Sequence, residues 1–134
     1  IVTDRKLRMN WLEKITSKDA KYIERKLKKI INRCLHPVKS ITFDNDLAFA
    51  RHYRIKEDLK IPTYFTHPYT SQEKGTVENR IGVIRRFFPK KTDFSKVTAA
   101  DVREVERKLN ERPIRMFNYK SAKDLYEKMV VMRC

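Results

Sequence analysis

The sequence predicts an α/β fold in which a mixed sheet is flanked by helices. Short β-branched and apolar runs alternate along the chain with longer segments whose apolar residues recur at helical spacing. The predicted order is strand, strand, helix, strand, helix, strand and then three helices, which is typical of a sheet covered by helices. Because a chain of 134 residues fits one domain with a modest core, we expect a single domain over residues 1–134.

The first half of the chain contributes four predicted strands and two predicted helices. Residues 1–11 contain a strand, a turn and a second strand, and Trp11 is expected to pack in a core or an interface. Thr16 and Asp19 have the spacing of a capping box, which predicts a helix that runs to about Arg33. The remaining elements are a strand at 38–43, a short helix at 47–59 and an edge strand at 61–65, where Tyr64 and Phe65 are expected to pack inward.

The second half predicts three helices, and a capping-box pattern opens each of them. The first of these helices runs to about Phe88 and the second ends before Pro113. The three patterns are Thr70-Ser71-Gln72-Glu73, Thr98-Ala99-Ala100-Asp101 and Ser121-Ala122-Lys123-Asp124.

Charge favours a polyanionic partner. The chain carries 32 lysines and arginines against 17 acidic residues, a formal charge of +15. No apolar run approaches the ~20 residues that span a bilayer, and no signal-peptide pattern is present, so we expect a cytoplasmic protein without a membrane partner. Two cysteines do not make a disulfide framework.

Two acidic residues stand in contexts that suit metal-dependent phosphodiester chemistry. Asp44 ends the strand at 38–43, and Glu78 lies on the helix that follows Thr70. A strand-end aspartate and a helical glutamate, once brought together, hold divalent metal ions against a phosphodiester. Arg85 lies seven residues after Glu78, on nearly the same face of the helix. On spacing alone, an ordinary Glu–Arg helix surface is the favoured interpretation of that pair.

Four sequence motifs shift the interpretation from an ordinary helix surface toward metal-dependent chemistry at Asp44 and Glu78. They resemble the catalytic core of bacterial insertion-sequence transposases of the IS-thirty type, within the class of DDE transposases and retroviral integrases. The resemblance extends from about Ile1 to Tyr126, and its specific part is 67–90. The runs are Thr42-Phe43-Asp44-Asn45-Asp46, His67-Pro68-Tyr69-Thr70-Ser71-Gln72-Glu73-Lys74-Gly75-Thr76-Val77-Glu78-Asn79-Arg80-Ile81-Gly82, Ile84-Arg85-Arg86-Phe87-Phe88-Pro89-Lys90 and Leu109-Asn110-Glu111-Arg112-Pro113.

The resemblance implies a ribonuclease H-like fold and a polynucleotidyl transferase. In that family three acids bind two Mg²⁺ or Mn²⁺ ions for DNA strand cleavage and strand transfer at transposon ends. Asp44 matches the second of these acids and Glu78 the third, so both are candidate catalytic and metal-binding residues. Double-stranded DNA is the implied partner, with no small-molecule substrate. The candidate DNA-binding residues are Arg85, Lys74, Arg86, Asn79 and Tyr69.

The sequence departs from the family at two places that bear on activity. The family's first acid lies on a strand before the segment that Ile1–Arg5 resembles, and Asp4 is not assigned to the triad. We therefore expect a core without its first strand, inactive alone, whose uncovered edge favours a homo-oligomer with Trp11 as a candidate contact. Asp46 stands where the family usually has glycine, and glycine forms the tight turn expected after Asp44 more readily than aspartate does. The alternative is a non-catalytic basic nucleic-acid-binding module or a degenerate transposase remnant.

Overall fold

A computed structural model describes residues 1–44, 46–67 and 71–132, except the side chains of residues 71–74, 76 and 77. The strands are β1 (Val2–Thr3), β2 (Asn10–Trp11), β3 (Ile41–Phe43), β4 (Thr63–Phe65), β5 (Pro113–Ile114) and β6 (Lys120–Ser121). The helices are α1 (Ala20–Arg33), α2 (His52–Leu59), α3 (Ser71–Ile84), α4 (Ala99–Glu111) and α5 (Ala122–Val131).

The chain folds as two compact units. The first, Ile1–Lys14 with Thr76–Cys134, is called the terminal unit below, and the second, Ile15–Gly75, is called the central unit. In the described residues the strands form three pairs: β1 with β2 and β5 with β6 are antiparallel, and β3 with β4 is parallel. The mixed α/β class is confirmed, and the hairpin of β5 and β6 was missed from the sequence. The ribonuclease H-like arrangement stays a prediction.

The terminal unit is built around α4. Its capping box is present as predicted, because Thr98 Oγ1 accepts from the Asp101 amide and Asp101 Oδ2 accepts from the Thr98 amide. The apolar stripe of α4 is buried as its spacing predicts. The core of the unit consists of Leu12, Val97, Val102, Val105 and Leu109, with Val83, Ile84 and Phe88 packed against it.

A polar clasp joins the first hairpin to the end of α4. The buried Asn10 amide donates to Asn110 Oδ1 over 2.8 Å, and Asn110 Nδ2 donates to the Asn10 carbonyl over 2.8 Å. Asp4 closes the β1–β2 turn, since its Oδ1 accepts from the amides of Lys6 and Leu7, each over 2.8 Å. Asp4 therefore stabilises the turn between β1 and β2.

Trp11 is a core residue. It is 6% exposed, and its ring meets Tyr126 of α5 edge-on with the ring centroids 5.6 Å apart. The expectation that Trp11 is an intermolecular contact was therefore wrong, because α5 already covers the indole. Homo-oligomerisation itself stays a prediction.

The central unit packs α1 and α2 with the parallel pair of β3 and β4. Helix α1 begins later than predicted, because Asp19 is its N-cap and accepts from the Tyr22 amide. Thr16 instead meets the Tyr22 hydroxyl, with its Oγ1 3.2 Å from that oxygen. The buried apolar residues of the unit are Ile23, Ile30, Phe43, Ile55 and Ile61.

Three further expectations were wrong in their details. The helix predicted at 47–59 is a 3-10 turn at Leu47–Phe49 followed by α2, and Leu47 is 90% exposed. Tyr64 and Phe65 are 57% and 36% exposed rather than buried, although the Phe65 ring still meets those of Phe43 and His52. Helix α3 ends at Ile84 rather than Phe88. Among the described residues no helix is long and apolar enough to cross a membrane.

Candidate active site

Asp44 follows β3 directly, at the carboxyl end of the parallel pair. The register Phe43↔Phe65 and the hydrogen bond from the Thr66 amide to the Phe43 carbonyl, 2.9 Å, hold that end in place. Phe43 is buried and stacks on Phe49 with the ring centroids 4.9 Å apart. The Asp44 side chain is exposed. A buried aromatic anchor thus leaves the next residue, a carboxylate, accessible at the strand end.

The turn after Asp44 does not need a glycine at position 46. Asp46 has φ −123° and ψ 141°, which is extended backbone that any residue adopts. Its side chain caps the following 3-10 turn, because Oδ1 accepts from the Ala48 amide over 2.9 Å. The replacement of glycine by aspartate therefore adds a cap without backbone strain at position 46.

Glu78 lies in the last half of α3 and is exposed. Asn79 beside it is exposed as well, and so are Arg85 and Arg86 in the turn that follows α3. The Arg85 amide still donates to the Ile81 carbonyl over 3.0 Å, so the backbone continues the helical path to that residue. The other two candidates, Tyr69 and the Lys74 side chain, lie outside the described residues.

Gly82 lies about one helical turn after Glu78. A Cβ at Gly82 would meet no atom within 4 Å among the described neighbours, so no close contact there requires a glycine. Gly82 is exposed on α3, and an exposed helical position tolerates side chains freely.

The two candidate acids belong to different units, Asp44 to the central unit and Glu78 to the terminal unit. Their meeting at a shared metal ion stays a prediction. Carboxylate oxygens are the ligands that Mg²⁺ and Mn²⁺ prefer, so the donor chemistry fits. Within the described part of the chain, no group of three His, Cys, Asp or Glu side chains is placed to hold a metal ion. A two-metal site would need a further ligand beyond these groups.

His52 packs inside the central unit, whereas His67 lies at the surface. His52 Nδ1 lies 3.0 Å from Thr63 Oγ1, and its ring meets Phe65 edge-on with the centroids 4.7 Å apart. His67 is exposed. His52 therefore ties α2 to β4, which explains its presence without a metal.

Arg80 is the residue that sequence reasoning overlooked. It is 9% exposed, on the side of α3 that carries the core residues Val83 and Ile84. Burial lowers the pKa of its guanidinium below the usual value, and the charges of Arg112 and Arg8 lower that pKa further. The available signal was its helical spacing, three and four residues before Val83 and Ile84.

Comparison with known proteins identifies the chain. No family model matches it. It is 33% identical over 129 residues to the transposase for insertion sequence element IS4351 of Bacteroides fragilis. The aligned residues cover 96% of this chain and 40% of that protein. It is 30% identical over 132 residues to transposase InsI for insertion sequence element IS30A of Escherichia coli K12. The aligned residues cover 98% of this chain and 34% of that protein. The chain belongs to the IS30-type insertion-sequence transposases.

A third relative supports the same assignment. The probable transposase for insertion-like sequence element IS1161 of Streptococcus salivarius is 35% identical over 126 residues, 94% of this chain and 35% of its own length. The resemblance to the IS-thirty type is thus confirmed over nearly all of the sequence. This IS30-type chain spans between about a third and two fifths of the length of the relatives it matches.

Proposed function

We propose that this IS30-type chain is part of a DNA transposase of the DDE class that cleaves phosphodiester bonds at transposon ends and transfers the strands. The observation that carries the proposal is the similarity to insertion-sequence transposases over 94–98% of the chain. The formal charge of +15 supports it, because such an excess draws a polyanion.

Asp44 and Glu78 are the proposed metal-binding acids. Both side chains are exposed, so ions and a DNA strand have access to them. Bound Mg²⁺ or Mn²⁺ would activate the attacking oxygen and stabilise the leaving oxygen of the phosphodiester. The third acid of the family would come from outside the residues described.

The proposed DNA contacts cluster around the end of α3. Arg85 and Arg86 are exposed and suit phosphate oxygens, because a guanidinium binds them through two parallel hydrogen bonds. Asn79 is exposed beside Glu78 and suits a sugar or phosphate oxygen. Lys74 and Tyr69 complete the proposed set. Assembly of more than one copy on DNA also stays part of the proposal.

The test compares acids that are proposed ligands with acids that are not. Asp44→Asn is paired with Glu57→Gln in the central unit, and Glu78→Gln with Glu127→Gln in the terminal unit. Glu57 and Glu127 are exposed helical acids, so each pair removes one surface charge of the same kind. The assay is Mn²⁺-dependent nicking of a supercoiled plasmid carrying the element's ends, by the whole protein that contains these residues.

We expect Asp44→Asn and Glu78→Gln to abolish nicking while duplex binding in EDTA stays within about twofold. The two control variants should nick like the unaltered protein. Full nicking by either Asp44→Asn or Glu78→Gln would show that the acids are wrongly assigned. Strong duplex binding without nicking by the unaltered protein, in either Mg²⁺ or Mn²⁺, would favour the non-catalytic basic module.

A further inference from the structure

The loop that joins β5 to β6 exposes two large apolar side chains. A 3-10 turn at Arg115–Phe117 forms its first half, and residues 115–120 are called the hairpin tip below. Within the tip, Met116 is 61% exposed and Tyr119 is 69% exposed. The Tyr119 side chain makes no hydrogen bond or ring contact with any other described residue. Core packing therefore does not explain the presence of this ring.

The hairpin tip stands on a fixed base. Asn110, at the end of α4, is 3% exposed, and Ser121 and Ala122, directly after the tip, are 5% and 0% exposed. The Tyr119 amide donates to the Ile114 carbonyl over 3.0 Å, which closes the loop above that base. The exposed side chains are thus presented from a backbone that is held at both ends.

The backbone of the tip is strained where its large ring is attached. Asn118 has φ 52° and ψ 43°, and Tyr119 has φ 63°, so both lie in the left-handed region. Asparagine tolerates this region, but it is uncommon for a bulky residue, and glycine would adopt it without the steric cost. Strained residues of this kind cluster at binding and catalytic sites. Tyr119 therefore costs stability without filling a core, as a ligand-binding side chain does.

The same stretch is strongly basic. Residues 112–123 carry four cations and no acid. Arg112 and Arg115 are exposed, and neither side chain forms an ion pair or a hydrogen bond with another described residue. Lys120, at the end of the tip, is exposed as well. An exposed aromatic side chain among exposed cations is typical of proteins that bind single-stranded nucleic acid.

The acids on either side of this stretch already have partners. Glu111 Oε1 pairs with Lys123 Nζ over 3.1 Å, and Asp124 Oδ2 accepts from the Ser121 amide over 3.1 Å. Hydrogen bonds with Ser121, and after them the charges of Lys123 and Lys120, lower the pKa of Asp124. The two exposed arginines are therefore the cations left for a partner of opposite charge.

We propose that the hairpin tip binds unpaired DNA, with the Tyr119 ring stacked on a base and Arg112 and Arg115 bound to neighbouring phosphates. A base in an intact duplex is stacked on both faces, whereas an unpaired base offers a face to an aromatic ring. A second copy of this chain is a poorer partner, because it carries the same formal charge of +15. The inference rests on the proposed function in taking DNA as the polyanion.

The first test removes the ring at the strained position. Tyr119→Gly should lower the affinity for a fluorescent single strand by about tenfold, as loss of one stacked base does, and change that for a blunt duplex by less than about twofold. Its melting temperature should not fall, because glycine accepts the left-handed backbone. Tyr119→Phe keeps the ring and should bind both DNAs like the unaltered protein. Affinities are measured by anisotropy in EDTA, on the whole protein that contains these residues.

The second test removes a cation of the tip. Arg115→Gln is compared with Arg5→Gln, which removes the same charge from an exposed site in the β1–β2 turn. Arg115→Gln should make the slope of log affinity against log salt for the single strand less steep by about 0.7, as one lost phosphate contact does. Arg5→Gln should leave that slope unchanged.

Four outcomes would overturn the proposal. Single-strand affinity unchanged in Tyr119→Gly, or lowered equally for strand and duplex, would show that the ring does not stack on an unpaired base. A lower melting temperature for Tyr119→Gly would show that the ring packs on the protein itself. Equal salt slopes for Arg115→Gln and Arg5→Gln would reduce the tip to general surface charge. A change in molar mass by light scattering, with DNA affinity unchanged, would assign the tip to contact between copies. Because EDTA removes divalent metal from the binding assays, a wrong assignment of Asp44 and Glu78 as catalytic acids leaves these results unaffected.

Discussion

The terminal and central units each bury a polar contact, and the two contacts differ in kind. In the terminal unit, α4 buries an aliphatic stripe, and a fully buried pair of asparagines joins it to the first hairpin. In the central unit, a buried glutamate of α1 binds cations of α1 and of the segment before α2. The terminal unit thus holds a neutral pair in its interior in addition to ion pairs such as those of Arg103 with Glu13 and Glu106, whereas the buried glutamate of the central unit is held by ion pairs.

This difference predicts how the two contacts respond to their surroundings. Neutral buried hydrogen bonds are insensitive to pH and salt, while partly exposed ion pairs weaken in both acid and high salt. The ion pairs of Glu24 are therefore expected to weaken in acid before the clasp of Asn10 and Asn110 does.

The largest effect is expected at the asparagine clasp. Asn110→Leu removes the acceptor of the Asn10 amide and the donor to the Asn10 carbonyl, leaving buried polar groups without partners. We expect a loss of about 3 kcal/mol in the free energy of unfolding, since each unsatisfied buried group costs about 1–3 kcal/mol. Urea unfolding followed by Trp11 fluorescence measures it, because Trp11 is the only tryptophan and is buried in this unit.

The matched control for this change is Asn32→Leu. Asn32 is exposed on α1, and exposed substitutions are usually within about 0.5 kcal/mol of neutral. If Asn110→Leu proved as mild as Asn32→Leu, the clasp would not stabilise the terminal unit, and the comparison between the units would lose its basis.

A smaller effect is expected at Glu24 of the central unit. Its Oε1 accepts from Lys28 Nζ over 2.9 Å and its Oε2 from Arg51 Nε over 2.6 Å, and Lys28 also pairs with Asp58. These hydrogen bonds, that from Lys28 first, hold the pKa of the Glu24 carboxyl below its usual value. Glu24→Gln should cost about 1–2 kcal/mol at pH 7, because two charge-assisted hydrogen bonds lose their charge.

The pH dependence gives this prediction its sign. A carboxyl whose folded-state pKa is lowered contributes stability above its ordinary pKa of 4.5 and loses it as the pH falls through the lowered value. The stability difference between the unaltered protein and Glu24→Gln should therefore shrink as pH falls below 4.5. Urea unfolding by circular dichroism at several pH values measures it, with Glu57→Gln as control. A difference that stayed constant into acid would show that packing, not charge, makes Glu24 important.

The sequence predicted helices better than strands, for a physical reason. Capping boxes and helical spacing are local signals, so α4 and α5 begin where their Thr98 and Ser121 caps indicate. The strands are only two or three residues long, so they carry little of the alternating pattern that identifies a strand in a sequence. At α1 the N-cap is Asp19 rather than Thr16, whose hydroxyl instead meets that of Tyr22.

The residues of the candidate site also differ in how far the local sequence predicts their positions. The strand-end position of Asp44 and the helical position of Glu78 follow from local pattern, and both could be read from the sequence. Burial of Arg80 could not, because it depends on the packing of α3 against residues that lie far from it along the chain. The hydrogen bonds between Asn10 and Asn110 are likewise long-range, and the local sequence does not predict them.

The smallest effect on the free energy of unfolding is expected at the helix caps, which also differ between the two units. Thr98 belongs to a reciprocal box with two hydrogen bonds, whereas one side-chain hydrogen bond, to the Tyr22 amide, is found at the Asp19 cap. Thr98→Ala should cost about 1 kcal/mol, as removal of an N-cap usually does. Hydrogen bonds from the Thr98 backbone and side chain lower the pKa of Asp101, so the box weakens as pH falls below the usual range of an aspartate. Asp101→Asn, which removes the titrating carboxyl, should therefore reduce the acid sensitivity of the terminal unit, measured by Trp11 fluorescence in urea at pH 7 and pH 3. Equal acid sensitivity with and without the Asp101 carboxyl would place the titrating group elsewhere.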